Sequence, residues 1–239
     1  MIARRTVLHA GLTALAPAGL VAGCALPDFS PPGATTPTPA PLLRPPITYV
    51  ALGASDAAGI GVASPTRDGW VPVLTRGLPQ PARLVNLGIP GVTLAEAAAV
   101  GVPPALDAQP HLITVWLVVN DILGRVKLDA YRASLDQLLA QLQAGTAAHI
   151  AVGNVPDAPD SIPYLGMRPA ERRALTAEWN DAIAAVVRTR GVQLVDLHAR
   201  WPLLAHPEFI GPDGLHPTEA GYRALAGTFL AALRDERVI

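Results

Sequence analysis

From residue 47 onward the chain alternates between two hydrophobic periods. Short, nearly continuous apolar runs rich in β-branched residues occupy 47–52, 83–87, 112–119, 149–152 and 192–197. Each is too short for a stable helix and reads as a strand buried on both faces. Between them apolar positions recur at i, i+3, i+4 and i+7. Leu135, Leu138, Leu139 and Leu142 form one such set, and Leu175, Trp179, Ile183 and Val186 form a similar one. That spacing lays an apolar stripe along a helix. A last helix is predicted after Pro217, a residue suited to a first helical position, with Tyr222, Leu225, Phe229 and Leu233 on one face. Strands alternating with helices imply right-handed crossovers, and hence a three-layer α/β/α sandwich around a five-stranded parallel sheet. Ligands of such sheets bind beyond the carboxyl ends of the strands. Ser55, the stretch from Gly88 to Gly91, Asn120 and Asn154 all fall just past predicted strand ends, so that edge is the expected site.

The pattern before residue 47 is of another kind. Arg4 and Arg5 precede an uncharged stretch, 6–22, which runs into Val21-Ala22-Gly23-Cys24. A charged start, an apolar middle and small residues before a cut describe an export signal. Residues 1–23 resemble the signal peptide of bacterial lipoproteins. The resemblance implies cleavage before Cys24, lipidation of Cys24, and attachment to a cell membrane or cell envelope. The paired arginines followed by Val7 and Leu8 also resemble a twin-arginine export signal. An uncleaved anchor fits less well, because the stretch is short for a bilayer and is interrupted by Gly11, Pro17 and Gly19. Cys24 is the only cysteine, so no internal disulfide is expected. Eight prolines lie between Ala25 and Pro46, and the segment 24–46 is expected to be an extended spacer carrying the lipidated cysteine. The remainder, 47–239, fits one domain. Hydrophobic residues make up 50% of the chain, enough for a substantial core. A net charge of −1, with no cluster of Lys and Arg after the signal, gives nucleic acid nothing to bind.

Chemistry enters at two distant places, Gly53-Ala54-Ser55-Asp56 and Asp213-Gly214-Leu215-His216. A serine hydroxyl attacks a carbonyl usefully only when a histidine takes its proton and a carboxylate orients that histidine. These two segments supply all three groups. Two further blocks lie between them, Asn86-Leu87-Gly88-Ile89-Pro90-Gly91-Val92-Thr93 and Val118-Val119-Asn120-Asp121. In order and spacing the four blocks resemble those of the SGNH hydrolases, the GDSL-type esterases and lipases, across the folded part of the chain. The resemblance implies a flavodoxin-like fold and hydrolysis of carboxylic esters without a cofactor or metal. It further implies Ser55 as nucleophile, His216 as general base and Asp213 as its partner. The oxyanion hole would be built from the backbone N–H groups of Ser55 and Gly91 and the side-chain amide of Asn120.

Plainer roles exist for several of these residues. A serine after a strand often caps a helix, Gly88 reads as a structural turn residue, and Asp121 as a cap or turn. His9 belongs to the export signal, and His111, His149, His198 and His206 show no metal-ligand spacing. Asp196 and His198, two apart after the fifth strand, form a weak rival pair.

Three positions depart from the family pattern. Ala54 stands before the nucleophile where aspartate is usual, and Asp56 follows it where leucine is usual; Val118 stands two residues before Asn120 where glycine is common. Stiff, bulky valine is expected to crowd the acyl side and favour short acyl groups. The expected substrate is a small-molecule ester or an ester on a cell-envelope or environmental glycan, with a catalytically silent binding lipoprotein as the reading from another class. The order of residues leaves the oligomeric state open. The segment 156–168, rich in Pro, Asp and Gly, is expected to wall the pocket.

Overall fold

The structure is a computed structural model that describes residues 42–157 and 167–239. The signal segment, Cys24 and the spacer up to residue 41 lie outside the described residues, as do 158–166 of the segment expected to wall the pocket. Five parallel strands form one sheet: β1 (Ile47–Gly53), β2 (Ala82–Gly88), β3 (Leu112–Trp116), β4 (His149–Gly153) and β5 (Gln193–Val195), in the order β2-β1-β3-β4-β5. This is the doubly wound, flavodoxin-like order, which reverses direction between β1 and β3.

The helices cover both faces. Helix α1 (Pro65–Asp68) leads into α2 (Trp70–Gly77), which packs on the final helix; α3 (Leu94–Asp107) follows β2, and α4 (Val119–Leu123) follows β3. Helix α5 (Leu128–Gly145) packs between α3 and α6 (Pro169–Arg190), while α7 (Leu197–Arg200) and α8 (Glu219–Asp235) complete the chain. The stripes expected from sequence face inward: Leu135, Leu138, Leu139 and Leu142 of α5, and Tyr222, Leu225, Phe229 and Leu233 of α8, are all buried. Trp70 of α2 stacks on Phe229 of α8 at 4.8 Å, closing one outer layer over the sheet. The upstream end of the domain is also pinned. Leu43 packs on the core, and its N–H donates to the Val238 carbonyl at 2.7 Å.

Two strands are shorter than their apolar runs. The run 112–119 is strand only to Trp116, after which Val118 leaves extended geometry (φ −144°, ψ −36°) and α4 begins. The run 192–197 is strand only to Val195, because the Asp196 carboxylate accepts from the Ala199 N–H and starts α7. In both places a buried helix turn carries the same continuous apolar signal as a buried strand. Helix α3, absent from the sequence reading, runs through Pro103 and Pro104. Thr93 and Glu96 form a reciprocal capping box at its start, with the Thr93 N–H donating to Glu96 Oε2 at 2.9 Å.

Candidate active site

β1 ends at Gly53, and the chain turns at once. A side chain at Gly53 would meet the Ala57 Cβ at 2.5 Å, so the turn closes only over glycine. Donation from the Ala58 and Ile60 N–H groups to the Ala54 and Ser55 carbonyls, at 3.0 and 2.9 Å, holds it. Ser55 caps no helix, since α1 starts ten residues later at Pro65 with Ser64 in the cap position. Asp56 braces this turn from the position after the serine. Its Oδ1 accepts from the Ala54 N–H at 3.3 Å and its Oδ2 from the Trp70 indole N–H at 3.0 Å. Burial pushes the Asp56 carboxyl up to about 6 despite those bonds. The displaced carboxylate therefore holds the Ser55 turn, although it stands two positions from the family's usual aspartate.

The loop before α8 is built from its own polar groups. Asp213 Oδ1 accepts from the Leu215 and His216 N–H groups at 3.0 Å each, Gly214 takes a positive φ of 70°, and the Gly211 N–H donates to the His216 carbonyl at 2.8 Å. This leaves Asp213 Oδ2 free to face the ring, and His216 Nδ1 lies 2.7 Å from it. Across the site His216 Nε2 lies 2.9 Å from Ser55 Oγ. A carboxylate only accepts, so Nδ1 carries the proton and Nε2 is left to accept from the serine hydroxyl. Burial pushes the Asp213 carboxyl up, but the Leu215 and His216 N–H groups and the His216 ring together outweigh it and hold it below its ordinary value.

Two contacts invisible in the sequence lock the halves together. Gly61, at φ 104°, lies so close to the histidine loop that an added Cβ would meet the Pro217 carbonyl oxygen at 2.7 Å and the His216 Cβ at 3.1 Å. The Tyr222 hydroxyl of α8 donates to the Ile60 carbonyl at 2.5 Å.

The second and third blocks meet on the opposite side. Asn120, on the first turn of α4, donates from Nδ2 to the Val92 carbonyl at 2.9 Å, which leaves its second amide hydrogen unengaged by that bond. Its neighbour Asp121 is buried and accepts from the Leu94 N–H, the first of α3, at 2.9 Å. Asp121 is thus a cap, but for α3 rather than for its own loop. Burial raises its carboxyl to about 6. Together the two side chains clamp residues 92–94, directly after Gly91, whose φ of 82° suits glycine alone and whose Cβ position faces open space. Gly88 is structural: a Cβ there would meet the Ala58 nitrogen at 2.6 Å.

Not every strand-end residue joins the site. Asn154 holds Asp196 through Nδ2 at 2.9 Å and accepts from the Leu197 and His198 N–H groups at 2.7 and 3.1 Å, so Asn154 and Asp196 fasten β4 to α7, and the Asp196 carboxylate is spent on Asn154 and the Ala199 N–H. Among the described residues no group of three or more His, Cys, Asp or Glu is placed to hold a metal. One pocket encloses about 60 Å³ beside Ser55, Asn120 and His216, and its other walls are mainly apolar, Val92, Val118, Leu203 and Ile210 among them, with Trp116 and Trp201.

A serine, a histidine and an aspartate hydrogen-bonded in line at the switch point of a doubly wound sheet define the class of serine hydrolases. The model of the GDSL-like lipase/acylhydrolase family matches residues 51–224, and the chain belongs to that family. It is a serine hydrolase acting on ester bonds. Similar solved structures include TesA (22% identity, TM-score 0.64, covering 79% of this chain and 99% of that one). The lipase/acylhydrolase from Enterococcus faecalis has 20% identity and a TM-score of 0.65 over 79% of this chain and 96% of its own. The acetyl xylan esterase AlAXEase has 17% identity and a TM-score of 0.63 over 78% of this chain and 100% of its own. At these identities the likeness is one of fold. No match was found among curated protein sequences.

Proposed function

We propose that the protein is an exported, membrane-anchored esterase for short acyl chains that works through an acyl-enzyme. The observation that carries the catalytic part is the continuous chain from Asp213 to His216 to Ser55, at 2.7 and 2.9 Å, opening on the pocket. Ser55 Oγ attacks the ester carbonyl as His216 Nε2 takes its proton, and the resulting oxyanion is held by the Ser55 and Gly91 N–H groups and the Asn120 amide. The imidazolium, steadied by Asp213, gives that proton to the departing alcohol. Water then attacks the acyl-serine, with His216 taking a proton from it and returning one to Ser55 as the acid leaves.

The feature that supports a short acyl group is Val118, a stiff side chain buried in the pocket wall. Comparison of p-nitrophenyl acetate, butyrate, octanoate and palmitate tests this: efficiency should fall with length, and a preference for octanoate or palmitate refutes it. A fluorophosphonate probe should label the folded protein and fail on Ser55→Ala. A folded wild type that stays unlabelled would instead support the silent binding reading.

The second reading is deacetylation of a cell-envelope or environmental polysaccharide, favoured by the shared fold with an acetyl xylan esterase. Release of acetate from acetylated xylan, measured beside the nitrophenyl esters, separates the two. The anchor reading rests on the sequence around Cys24, and loss of membrane association in Cys24→Ser is its test.

A further inference from the structure

The inward stripe of α8 is apolar at Leu225, Phe229 and Leu233 but carries a hydroxyl at Tyr222. Phenylalanine would fill the same space, and a buried hydroxyl costs stability unless it is bonded. Tyr222 is buried, and its hydroxyl donates to the Ile60 carbonyl at 2.5 Å. Ile60 belongs to the Ser55 turn, since its own N–H donates to the Ser55 carbonyl at 2.9 Å. The main chain of Tyr222 is tied toward His216. Its N–H donates to the Thr218 carbonyl at 2.8 Å, and Thr218, two residues after His216, caps α8 and donates its own N–H to the Phe209 carbonyl at 2.8 Å. One residue therefore bonds toward both halves of the Ser55–His216 pair, and each link is a single hydrogen bond or a short piece of backbone. Burial, with Asp56 and Asp213 nearby, pushes the phenol well above its ordinary value, so it remains a donor wherever His216 can act as a base.

We propose that Tyr222 is a positioning residue: by holding the Ser55 turn to the helix that follows His216, it sets the approach of His216 Nε2 to Ser55 Oγ. The proposal rests on the esterase reading above. His216 serves both acylation and deacylation, so a looser pair slows both steps together and leaves substrate binding alone. Tyr222→Phe removes one oxygen and keeps the ring. On p-nitrophenyl acetate it should lower kcat by about tenfold to a hundredfold, with KM within about twofold of wild type, because misplacement by an ångström is worth that much. Here kcat is counted per site titrated to completion with a fluorophosphonate, so loss of folded protein does not register as loss of rate. Labelling itself should slow by a similar factor and reach the same end point. Leu233→Val, on the same stripe of α8 and away from the site, loosens packing without touching the hydrogen bond and should keep the wild-type kcat per site. An unchanged kcat per site in Tyr222→Phe overturns the proposal, as does an equal fall in Leu233→Val, which marks general loosening of α8. So does a Tyr222→Phe protein that cannot be obtained folded, since the hydroxyl then serves the fold alone. A folded wild type that shows neither labelling nor Ser55-dependent hydrolysis removes the esterase reading itself, and this proposal falls with it.

Discussion

The amide nitrogen of Asn120 carries two hydrogens, and the Val92 carbonyl engages one of them. The proposed oxyanion contact needs the other. Asn120→Ala is therefore expected to lower kcat by roughly a hundredfold to a thousandfold with little change in KM, because the contact forms only as charge develops. A mutant within a few fold of wild type would remove Asn120 from the site. Gly61 acts at the same scale through space alone. A methyl there meets the Pro217 carbonyl at 2.7 Å and must push the histidine loop or strain its own φ of 104°. Gly61→Ala should cost about tenfold to a hundredfold in kcat by moving His216 away from Ser55, since an ångström of misplacement is worth that much. Slower fluorophosphonate labelling of a folded protein would report it. Ser55, Asp213 and His216 were legible because their blocks are short, local patterns. Gly61, Trp70 and Tyr222 were not, because each acquires its role from a residue brought near only by folding.

At the scale of elements, α4 is the part that the apolar run concealed. It is five residues long, yet two adjacent side chains tie it to the second block, Asn120 through Val92 and Asp121 through Leu94. Asp121→Ala leaves the first N–H of α3 without its buried acceptor, and should cost about 1–3 kcal/mol of stability and loosen the Gly91 turn. Asp121→Asn keeps an oxygen for that N–H and should restore most of both losses. Denaturant unfolding with kcat for the pair of variants checks this. If Asn fails as badly as Ala, the charge matters and the hydrogen bond alone does not explain the residue. The Thr93-x-x-Glu96 capping box is the signal that could have marked the start of α3 in the sequence. The end of β3 carries no such signal, because Leu117 and Val118 are as buried beyond the strand as the residues within it.

For the molecule as a whole, Asp56 and Asp121 set an unusual pH dependence of stability. Burial raises both carboxyls to about 6 from an ordinary 3.8, so the stability linked to them is complete below the ordinary value and is lost as pH rises through about 6. His149, lowered by burial, pulls the other way, since charging it on acidification costs stability. Two carboxyls against one imidazole give a net gain in stability on going from pH 7.5 to 5. Below that, Asp136, lowered by its bond to Arg190, and Asp213 reverse the trend as they protonate. Thermal unfolding across pH 4 to 8 should show a maximum near pH 5, and a midpoint that only falls below pH 7 refutes the assignment. Taken alone, the sequence determined the parallel α/β architecture, the strand-end edge and which side chains are proposed to react. Hydrophobic period and short motifs are local, and a local pattern survives in a linear string. Only the tertiary structure decided that Asp56 braces the Ser55 turn through Trp70, that Asp121 caps a helix 27 residues away, and that the Trp201 indole N–H is buried without a partner among the described residues. Those roles depend on which buried polar group finds an acceptor, and that is settled by packing between distant segments, where no spacing rule reaches.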